Sequence, residues 1–222
     1  VSMSEKTGHI SVQTQDVFPT IKKWLYSEHD IFIRELVANA CDAINKLETL
    51  GRVKNLETPQ GKIDITINQK EKTITITDNG IGMTEEEVEK YITQLAFSGA
   101  EEFLEKYKDQ NGKDAGIIGH FGLGFYSSFM VAEKVEIITK SYKDEPAAHW
   151  SCDGSPNYTL EEGEKTDRGT EIILHIDDDS LEFLEEARIT ELLVKYNKFM
   201  PIPIKFGMRT ETLPKPEDAK EE

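Results

Sequence analysis

Three polar side chains recur at helical spacing in the segment from residue 30 to residue 50. Glu35, Asn39 and Asp42 are four and three positions apart, so they share one face of a helix. A carboxylate, an amide and a second carboxylate could supply a general base and oxygen ligands for Mg²⁺. A solvated helix face would show the same spacing, but asparagine is a poor helix former with little reason to lie mid-helix unless its amide binds something. This face therefore indicates a base beside a metal ligand, with a solvated face as the alternative.

A second polar group stands where a predicted strand ends. The alternating segment 73–77 leads into Asp78-Asn79-Gly80-Ile81-Gly82-Met83. A carboxylate at this position can accept a hydrogen bond from an amino group such as that of adenine. The glycines allow a sharp turn and the close approach of a flat ligand. Asp-Asn-Gly is also an ordinary turn sequence, so the segment indicates a nucleotide site only in combination with other features.

Glycines are concentrated before another predicted helix, which covers residues 126–131. The segment reads Gly116-Ile117-Ile118-Gly119-His120-Phe121-Gly122-Leu123-Gly124-Phe125. Glycines before a helix start let backbone N–H groups converge on a phosphate. No Gly-Lys-Ser/Thr follows, which excludes a Walker A motif, and no suitable strand precedes it for a dinucleotide fingerprint. A flexible hinge is the alternative interpretation.

Hydrophobic periodicity predicts the elements that would position these groups. In the long helix the apolar positions fall on the face opposite the polar row: Ile33, Leu36, Val37, Ala40, Ile44 and Leu47. The predicted strands are 9–14, 62–68, 72–78, 134–141, 149–152, 169–176 and 201–206, and the main predicted helices are 17–27, 30–50 (closed by Gly51), one starting at Thr84, and 185–199. Strands and helices are interspersed without βαβ regularity, which favours an α+β layered sandwich.

Composition narrows the class of partner. Lys and Arg number 26 against 42 Asp and Glu, a net charge of −16. This balance argues against nucleic acid and against an anionic membrane surface, whereas a nucleotide can be neutralised by backbone N–H groups and a bridging cation. Cys41 is predicted to be a buried thiol, and no cysteine or histidine spacing indicates zinc. Without a signal segment or a run of membrane-spanning length, we expect a cytoplasmic protein.

The order of these motifs resembles the ATPase superfamily that contains gyrase, MutL, histidine kinases and the heat-shock protein 90 chaperones. Residues 26–35 resemble the chaperone signature, with Glu28 and Ile33 as departures. The similarity continues through residues 34–43, 78–83, 119–127 and 168–170, and it is closest to the bacterial HtpG type. The resemblance implies the Bergerat-type ATPase fold, a two-layer sandwich of a mostly antiparallel twisted sheet covered on one face by helices.

The resemblance also implies residue roles in binding ATP or ADP with Mg²⁺. Glu35 would be the general base that orients water on the γ-phosphate, and Asn39 would bind Mg²⁺. Asp78 would accept from the adenine amino group with Thr170 nearby through water, and Met83 would pack on the base. The other nucleotide-binding residues would be Asp42, Ala43, Gly82, Gly119, His120, Phe121, Gly122, Leu123, Gly124 and Phe125.

The domain organisation implied by the family is a nucleotide-binding domain over residues 1–208. Residues 98–119 would form a mobile lid that closes over ATP, and the first strand would exchange between protomers of a closed dimer. Residues 209–222 would begin a linker to a middle domain. We therefore expect an excised amino-terminal domain, monomeric as this fragment and slow in hydrolysis. It would come from a homodimeric chaperone that binds unfolded or partly folded client proteins, without nucleic-acid or membrane partners.

Three positions depart from the family pattern. Tyr91 stands where an amide or a similar polar residue is usual, Phe97 where a lysine is usual, and His120 where a glutamine is usual. The first two usual residues contact ribose or phosphates, so we expect nucleotide affinity here to depend strongly on Mg²⁺. Two other functions stay open, a histidine-kinase-like catalytic domain and an adenine-nucleotide-binding interaction module that does not hydrolyse. A mitochondrial location is the alternative compartment.

Overall fold

The computed structural model describes residues 5–9, 29–95, 124–154, 157–197 and 202–209. Three α-helices lie within these ranges: α1 (Ile31–Val53), α2 (Glu85–Val88) and α3 (Glu186–Asn197). A π-helical turn, Glu89–Leu95, continues α2, and 3₁₀ helices cover Phe125–Met130 and Leu181–Leu184. The strands are β1 (Lys6–His9), β2 (Ile63–Asn68), β3 (Thr73–Asp78), β4 (Ala132–Lys140), β5 (Ala148–Cys152), β6 (Asn157–Glu162), β7 (Gly169–Ile176) and β8 (Ile204–Arg209).

The described strands form one sheet in the order β1-β6-β5-β4-β7-β3-β2-β8. Neighbours pair antiparallel except β2 and β8, which are parallel. Alternation dictates the two faces: Ile74 and Ile76 of β3 are buried, whereas the intervening threonines are partly exposed. The inner face carries the helices and the core. The predicted α+β fold with a mostly antiparallel sheet is confirmed.

The outer face of the sheet is polar at its centre. Glu136 of β4 lies between His149 of β5 and His175 of β7. Its Oε1 is 2.9 Å from Nε2 of His149, and its Oε2 is 2.7 Å from Nε2 of His175. The carboxylate and the two imidazoles thus satisfy part of one another's hydrogen-bonding capacity.

The long helix α1 buries the apolar face predicted for it. Ile33, Leu36, Val37, Ala40 and Ile44 are each at most 3% exposed and pack in the core. Because this apolar face is buried, the opposite face of α1, which carries Glu35, Asn39 and Asp42, lies along the edge of a cavity. The helix thus fixes the spacing of Glu35, Asn39 and Asp42.

The predicted end of this helix at Gly51 is wrong. The helix continues to Val53 and ends in a Schellman motif, in which Leu56 N donates to Gly51 O (2.7 Å) and Asn55 N donates to Arg52 O (3.3 Å). Asn55 takes the left-handed conformation, with φ of 55°. A Cβ on Gly51 would lie 2.6 Å from Cγ2 of Thr58. The glycine is therefore needed because the chain folds back against the helix.

Several other boundaries differ from the prediction. Strand β1 begins before the predicted 9–14, β8 lies three residues after the predicted 201–206, and β6 was not predicted. The helix predicted over residues 126–131 is a 3₁₀ helix over Phe125–Met130. The hydroxyls of Ser127 and Ser128 donate to the carbonyls of Gly124 and Phe125 three residues earlier, which favours this tighter turn. The predicted helix 17–27 and the lid 98–119 lie outside the described residues.

Two further predictions concern the thiols and the helix start at Thr84. Cys41, predicted to be buried, is only partly buried, whereas Cys152 is buried. Thr84 forms the predicted cap: its side chain accepts from Glu87 N, while the Glu87 side chain accepts from Thr84 N. No helix in the described ranges is long and apolar enough to cross a membrane.

Candidate functional site

A cavity of about 740 Å³ lies between α1 and the inner face of the sheet. Its floor is apolar, from Ile76 of β3, Ile137 of β4 and Ile172 of β7. Its walls contain every predicted site residue in the described ranges: Glu35, Asn39, Asp42, Ala43, Asp78, Gly82, Met83, Gly124, Phe125 and Thr170. The predicted Gly119, His120, Phe121, Gly122 and Leu123 lie outside the described residues. An apolar floor with a few polar groups at the walls is typical of a small-molecule site.

The turn after β3 is packed tightly against the protein. Ile81 N donates to Ala43 O of α1 (3.0 Å), and Tyr142 N donates to Ile81 O (2.9 Å). A Cβ on Gly80 would lie 2.5 Å from the carbonyl carbon of Ala43. Gly82, with φ of 67°, would place a Cβ on the carbonyl oxygen of Lys140. The two glycines therefore let the turn approach α1 and β4 closely, which fixes the residues on either side of it.

Side chains from outside the turn hold it in place. Arg168 donates from Nε to Gly80 O (3.2 Å) and from a terminal nitrogen to Asn79 O (3.1 Å). The Asn79 side chain accepts from Lys62 N (2.9 Å) and donates to Gln60 O (3.0 Å). The orientation of Asp78 is thus determined by neighbours on both sides of the sheet end.

Asp78 is the buried acid of the cavity, with an exposed fraction of 7%. Its Oδ1 accepts from Gly80 N at 2.8 Å. Burial raises the pKa of its carboxyl from 3.8 to about 7, although hydrogen bonds from Gly80 and Thr170 and the charge of Lys165 oppose the shift. Asp78 therefore changes between donor and acceptor near neutral pH.

Thr139 of β4 lies directly behind this wall, in contact with Met83 and Thr170, and was missed in the sequence. It is fully buried and lies opposite Thr170 in the β4–β7 ladder. Its Oγ1 accepts from Met83 N (3.0 Å), lies 2.8 Å from Oγ1 of Thr170, and can donate to Gly169 O (3.1 Å). The available signal was a hydroxyl at an inward position of β4, where Val135 and Ile137 are apolar.

Glu35 lies on α1, at the end of the cavity opposite the turn that follows β3. Its side chain is 13% exposed, and its Oε1 is 2.8 Å from a terminal nitrogen of Arg34. The other carboxylate oxygen, Oε2, lies beside Gly124, where a Cβ would come within 2.7 Å of it. Glycine at position 124 therefore leaves room for this oxygen at the cavity wall.

Asn39 and Asp42 are exposed on the cavity side of α1. In the parts of the chain that the structure describes, no three His, Cys, Asp or Glu side chains are arranged to hold a metal ion. Mg²⁺ commonly binds through one or two protein oxygens together with substrate phosphates and water. The amide oxygen of Asn39 fits that pattern, in which phosphates complete the coordination.

Tyr91 stands at the cavity wall in the π-helical turn. Its side chain is 47% exposed, and Nζ of Lys90 lies 5.4 Å from the ring centroid. The next residue, Ile92, accepts a hydrogen bond from the buried hydroxyl of Tyr126 at 2.6 Å. The departure at position 91 therefore lies at the site itself, whereas Phe97 falls outside the described residues.

Comparison with known proteins gives the family. The sequence matches the histidine kinase-, DNA gyrase B- and HSP90-like ATPases over residues 26–173. It is 60% identical over 205 residues to the chaperone protein HtpG of Bacteroides thetaiotaomicron, an alignment covering 92% of this chain and 30% of that protein. The HtpG of Porphyromonas gingivalis is 56% identical over 209 residues (93% and 30%), and that of Geobacter sulfurreducens 40% identical over 219 residues (96% and 34%).

This chain spans about a third of the length of these relatives. The family match covers both α1, with its polar row, and the Asp78 turn, so it includes the two ends of the cavity. The resemblance drawn from the motifs is confirmed. The chain belongs to the family of histidine kinase-, DNA gyrase B- and HSP90-like ATPases.

Proposed function

We propose that this chain is the adenine-nucleotide-binding domain of a molecular chaperone that hydrolyses ATP. One observation carries the proposal: a buried acidic acceptor, Asp78, and an arginine-paired carboxylate, Glu35, line the same cavity of about 740 Å³. The first group suits the amino group of a base and the second suits activation of water. A cavity with both is suited to a nucleotide that is cleaved at its far end.

The base would lie at the Asp78 end. The carboxylate of Asp78 accepts from the adenine amino group, and Thr170 contacts the ring through water. Met83 packs on one side of the base, where its backbone is held by Thr139. Gly82 and Ala43 keep this part of the wall free of bulky side chains, and the isoleucine floor excludes water beneath the ring.

The phosphates would extend toward Glu35 and the first turn of the 3₁₀ helix. Glu35 orients water for attack on the γ-phosphate, and Arg34 fixes the orientation of its carboxylate through the contact at 2.8 Å. Asn39 supplies a ligand to Mg²⁺, whose charge offsets that of the phosphates. Residues 119–125 would contribute N–H groups to the phosphates, and Asp42 would contact the nucleotide from α1. Because positioning and charge neutralisation are the main requirements of this chemistry, these groups suffice for slow hydrolysis.

The wider role follows the similarity to HtpG. We propose a cytoplasmic bacterial chaperone whose residues 98–119 close over ATP and whose first strand exchanges between protomers of a homodimer. Client proteins would be unfolded or partly folded chains. Residues 1–208 would be the nucleotide domain, and residues 209–222 would begin a linker to the rest of the protein.

Calorimetric titration of ADP with Mg²⁺ at pH 8 tests base recognition. Asp78→Asn replaces the ionised acceptor by a neutral one, and loss of a charge-assisted hydrogen bond costs about 1.5–3 kcal/mol, or roughly 10- to 150-fold in Kd. Asp64→Asn is the matched control, because Asp64 lies on the outer face of the neighbouring strand β2. Equal affinity of wild type and Asp78→Asn would refute the assignment of the base site.

Hydrolysis and metal dependence are tested separately. In the full-length protein, Glu35→Ala should abolish ATP turnover while ADP still binds; turnover like wild type would show that Glu35 is not the base. Omitting Mg²⁺ should weaken ADP binding strongly, because Tyr91 and Phe97 replace usual phosphate-contacting residues. Equal affinities with and without the metal would contradict this expectation.

A further inference from the structure

The hydroxyls of Thr139 and Thr170 form a pair that can be arranged in two ways. Their oxygens are 2.8 Å apart, and either can be the donor. Each hydroxyl has one proton and two lone pairs. Met83 N donates to Thr139 Oγ1, and a backbone N–H can only be a donor, so this bond occupies one lone pair of Thr139 in both arrangements. What varies is the direction of the proton between the two threonines.

In the first arrangement Thr139 donates to Gly169 O and Thr170 donates to Thr139. Thr170, which lines the cavity, then presents a lone pair to a ligand. In the second arrangement Thr139 donates to Thr170, and Thr170 keeps its proton for a ligand acceptor. Both arrangements use the observed distances, so the pair adapts to a donor or an acceptor on the base.

Asp78 is the neighbour of this pair, directly opposite Thr170 in the β3–β7 ladder. It can likewise be a donor when protonated and an acceptor when ionised. Several charged or titratable groups share its surroundings. Cys41 on α1 and Lys165 before β7 interact with its charge, and the cavity walls also carry Glu35, Asp42, Lys46, Glu87, Tyr91 and Tyr142.

A 6-aminopurine offers a donor at position 6 and an acceptor at N1, and a 6-oxopurine offers the reverse. We propose that the cavity has a second mode of base recognition, for a 6-oxopurine. In this mode protonated Asp78 donates to the 6-oxo oxygen, and Thr170, which donates to Thr139, accepts from the N1–H group through the bridging water. The mode for a 6-aminopurine instead requires ionised Asp78 and the second arrangement of the hydroxyl pair, in which Thr139 donates to Thr170. The inference rests on the proposed function, because it concerns the same base site.

The two modes predict opposite pH dependence for two ligands that differ at the base alone. Inosine diphosphate and ADP, each with Mg²⁺, are titrated into the 222-residue chain at pH 8, 7 and 6. Titration of the phosphates is the same for both ligands and cancels in their affinity ratio. Because one mode needs the proton and the other excludes it, the ratio of inosine diphosphate to ADP affinity should rise tenfold per pH unit, or about 100-fold from pH 8 to pH 6.

Two variants separate the groups involved. Asp78→Asn has an amide that can donate or accept without titrating, so its affinity ratio should not change with pH. Thr139→Val removes the acceptor of the Thr170 proton and should weaken inosine diphosphate at pH 6 about fivefold relative to ADP. Thr139→Ser should restore wild-type binding. Circular dichroism at each pH establishes that the proteins are folded. If Thr139→Val does not fold, the comparison of wild type with the Asp78→Asn variant is sufficient for the test.

A wild-type ratio that is the same at pH 8 and pH 6, with ADP bound at pH 8, would overturn this inference and leave the proposed function intact. A ratio that shifts equally in Asp78→Asn would also overturn it. Failure of ADP to bind at any pH would instead refute the proposed function, and the inference with it.

Discussion

Replacing Asp78 by asparagine should stabilise the empty domain at alkaline pH. The carboxyl is 7% exposed, and burial raises its pKa from 3.8 to about 7. A group whose pKa is higher in the folded state destabilises the fold as it ionises. The contribution of the neutral Asp78 carboxyl to the free energy of unfolding is fully present below pH 3.8. It decreases as the pH rises from there through the folded pKa, and the free energy of unfolding no longer changes with this group above that pKa. An asparagine has no such dependence, and its amide oxygen can still accept from Gly80 N.

The size of the effect follows from the two pKa values. One pH unit corresponds to about 1.4 kcal/mol, so the shift from 3.8 to about 7 amounts to about 4 kcal/mol at pH 8. Between pH 5 and pH 8 the destabilisation grows over the interval from 5 to about 7. The difference in free energy of unfolding between Asp78→Asn and wild type should therefore increase by about 3 kcal/mol across this range.

Urea denaturation without nucleotide, at pH 5 and pH 8, measures this difference. Contributions from all other titrating groups are common to both proteins and cancel. Asp64→Asn, on the outer face of β2, controls for the chemical change itself and should show no such increase. If the Asp78→Asn difference is the same at both pH values, Asp78 is not desolvated as described. The stabilised variant should also bind ADP less tightly, so stability and function oppose each other at this residue.

Three more predictions concern single groups. Gly124→Ala should lower kcat for ATP in the full-length protein about 100-fold, because the added Cβ displaces the Glu35 carboxylate. Gly207→Ala, where a Cβ meets nothing within 4 Å, is the control, and equal kcat values for wild type and Gly124→Ala would contradict this prediction. Thr84→Ala should lower the free energy of unfolding in urea by about 1 kcal/mol, and Thr84→Ser should not; a neutral alanine variant would show that the cap contributes nothing. Burial raises the pKa of Glu136, but hydrogen bonds from His175 and His149 outweigh this effect and leave the pKa lowered. The ionised carboxylate and its hydrogen bonds therefore stabilise the fold above the ordinary pKa of 4.5, and this stabilisation is lost on acidification. Thermal unfolding at pH 6 and pH 3 should therefore show a larger loss for wild type than for Glu136→Gln, and parallel losses would count against this role.

Local signals predicted the elements whose pattern is governed by neighbouring residues. The β2–β3 hairpin alternates strictly, and the cap at Thr84 is a four-residue pattern, so both were found in the sequence. The buried face of α1 followed from its period. These features depend on interactions within a few residues, which a single sequence records directly.

Features that depend on distant contacts were not predicted. Gly51 is required by Thr58 and Leu56 folding back on the helix, so its role as a helix end was misjudged. Thr139 gains its importance from Met83 and Thr170, which lie on other segments and meet it only in the folded sheet. Strand β6 has only two apolar side chains, Tyr158 and Leu160, and ends in acidic residues, so its pairing with β5 and β1 could not be recognised from alternation alone.

The order of the sheet has a mechanical consequence. Strands β1 and β8 occupy opposite edges, with seven strand spacings between them, or roughly 34 Å at about 4.8 Å per spacing. A force applied between these two strands acts across the sheet and loads the ladders in series, so that hydrogen bonds are peeled one after another rather than sheared together. The β1–β6 ladder has four paired residues against eight for β4–β7. Tension would therefore detach β1 first and leave the strands that form the cavity floor joined.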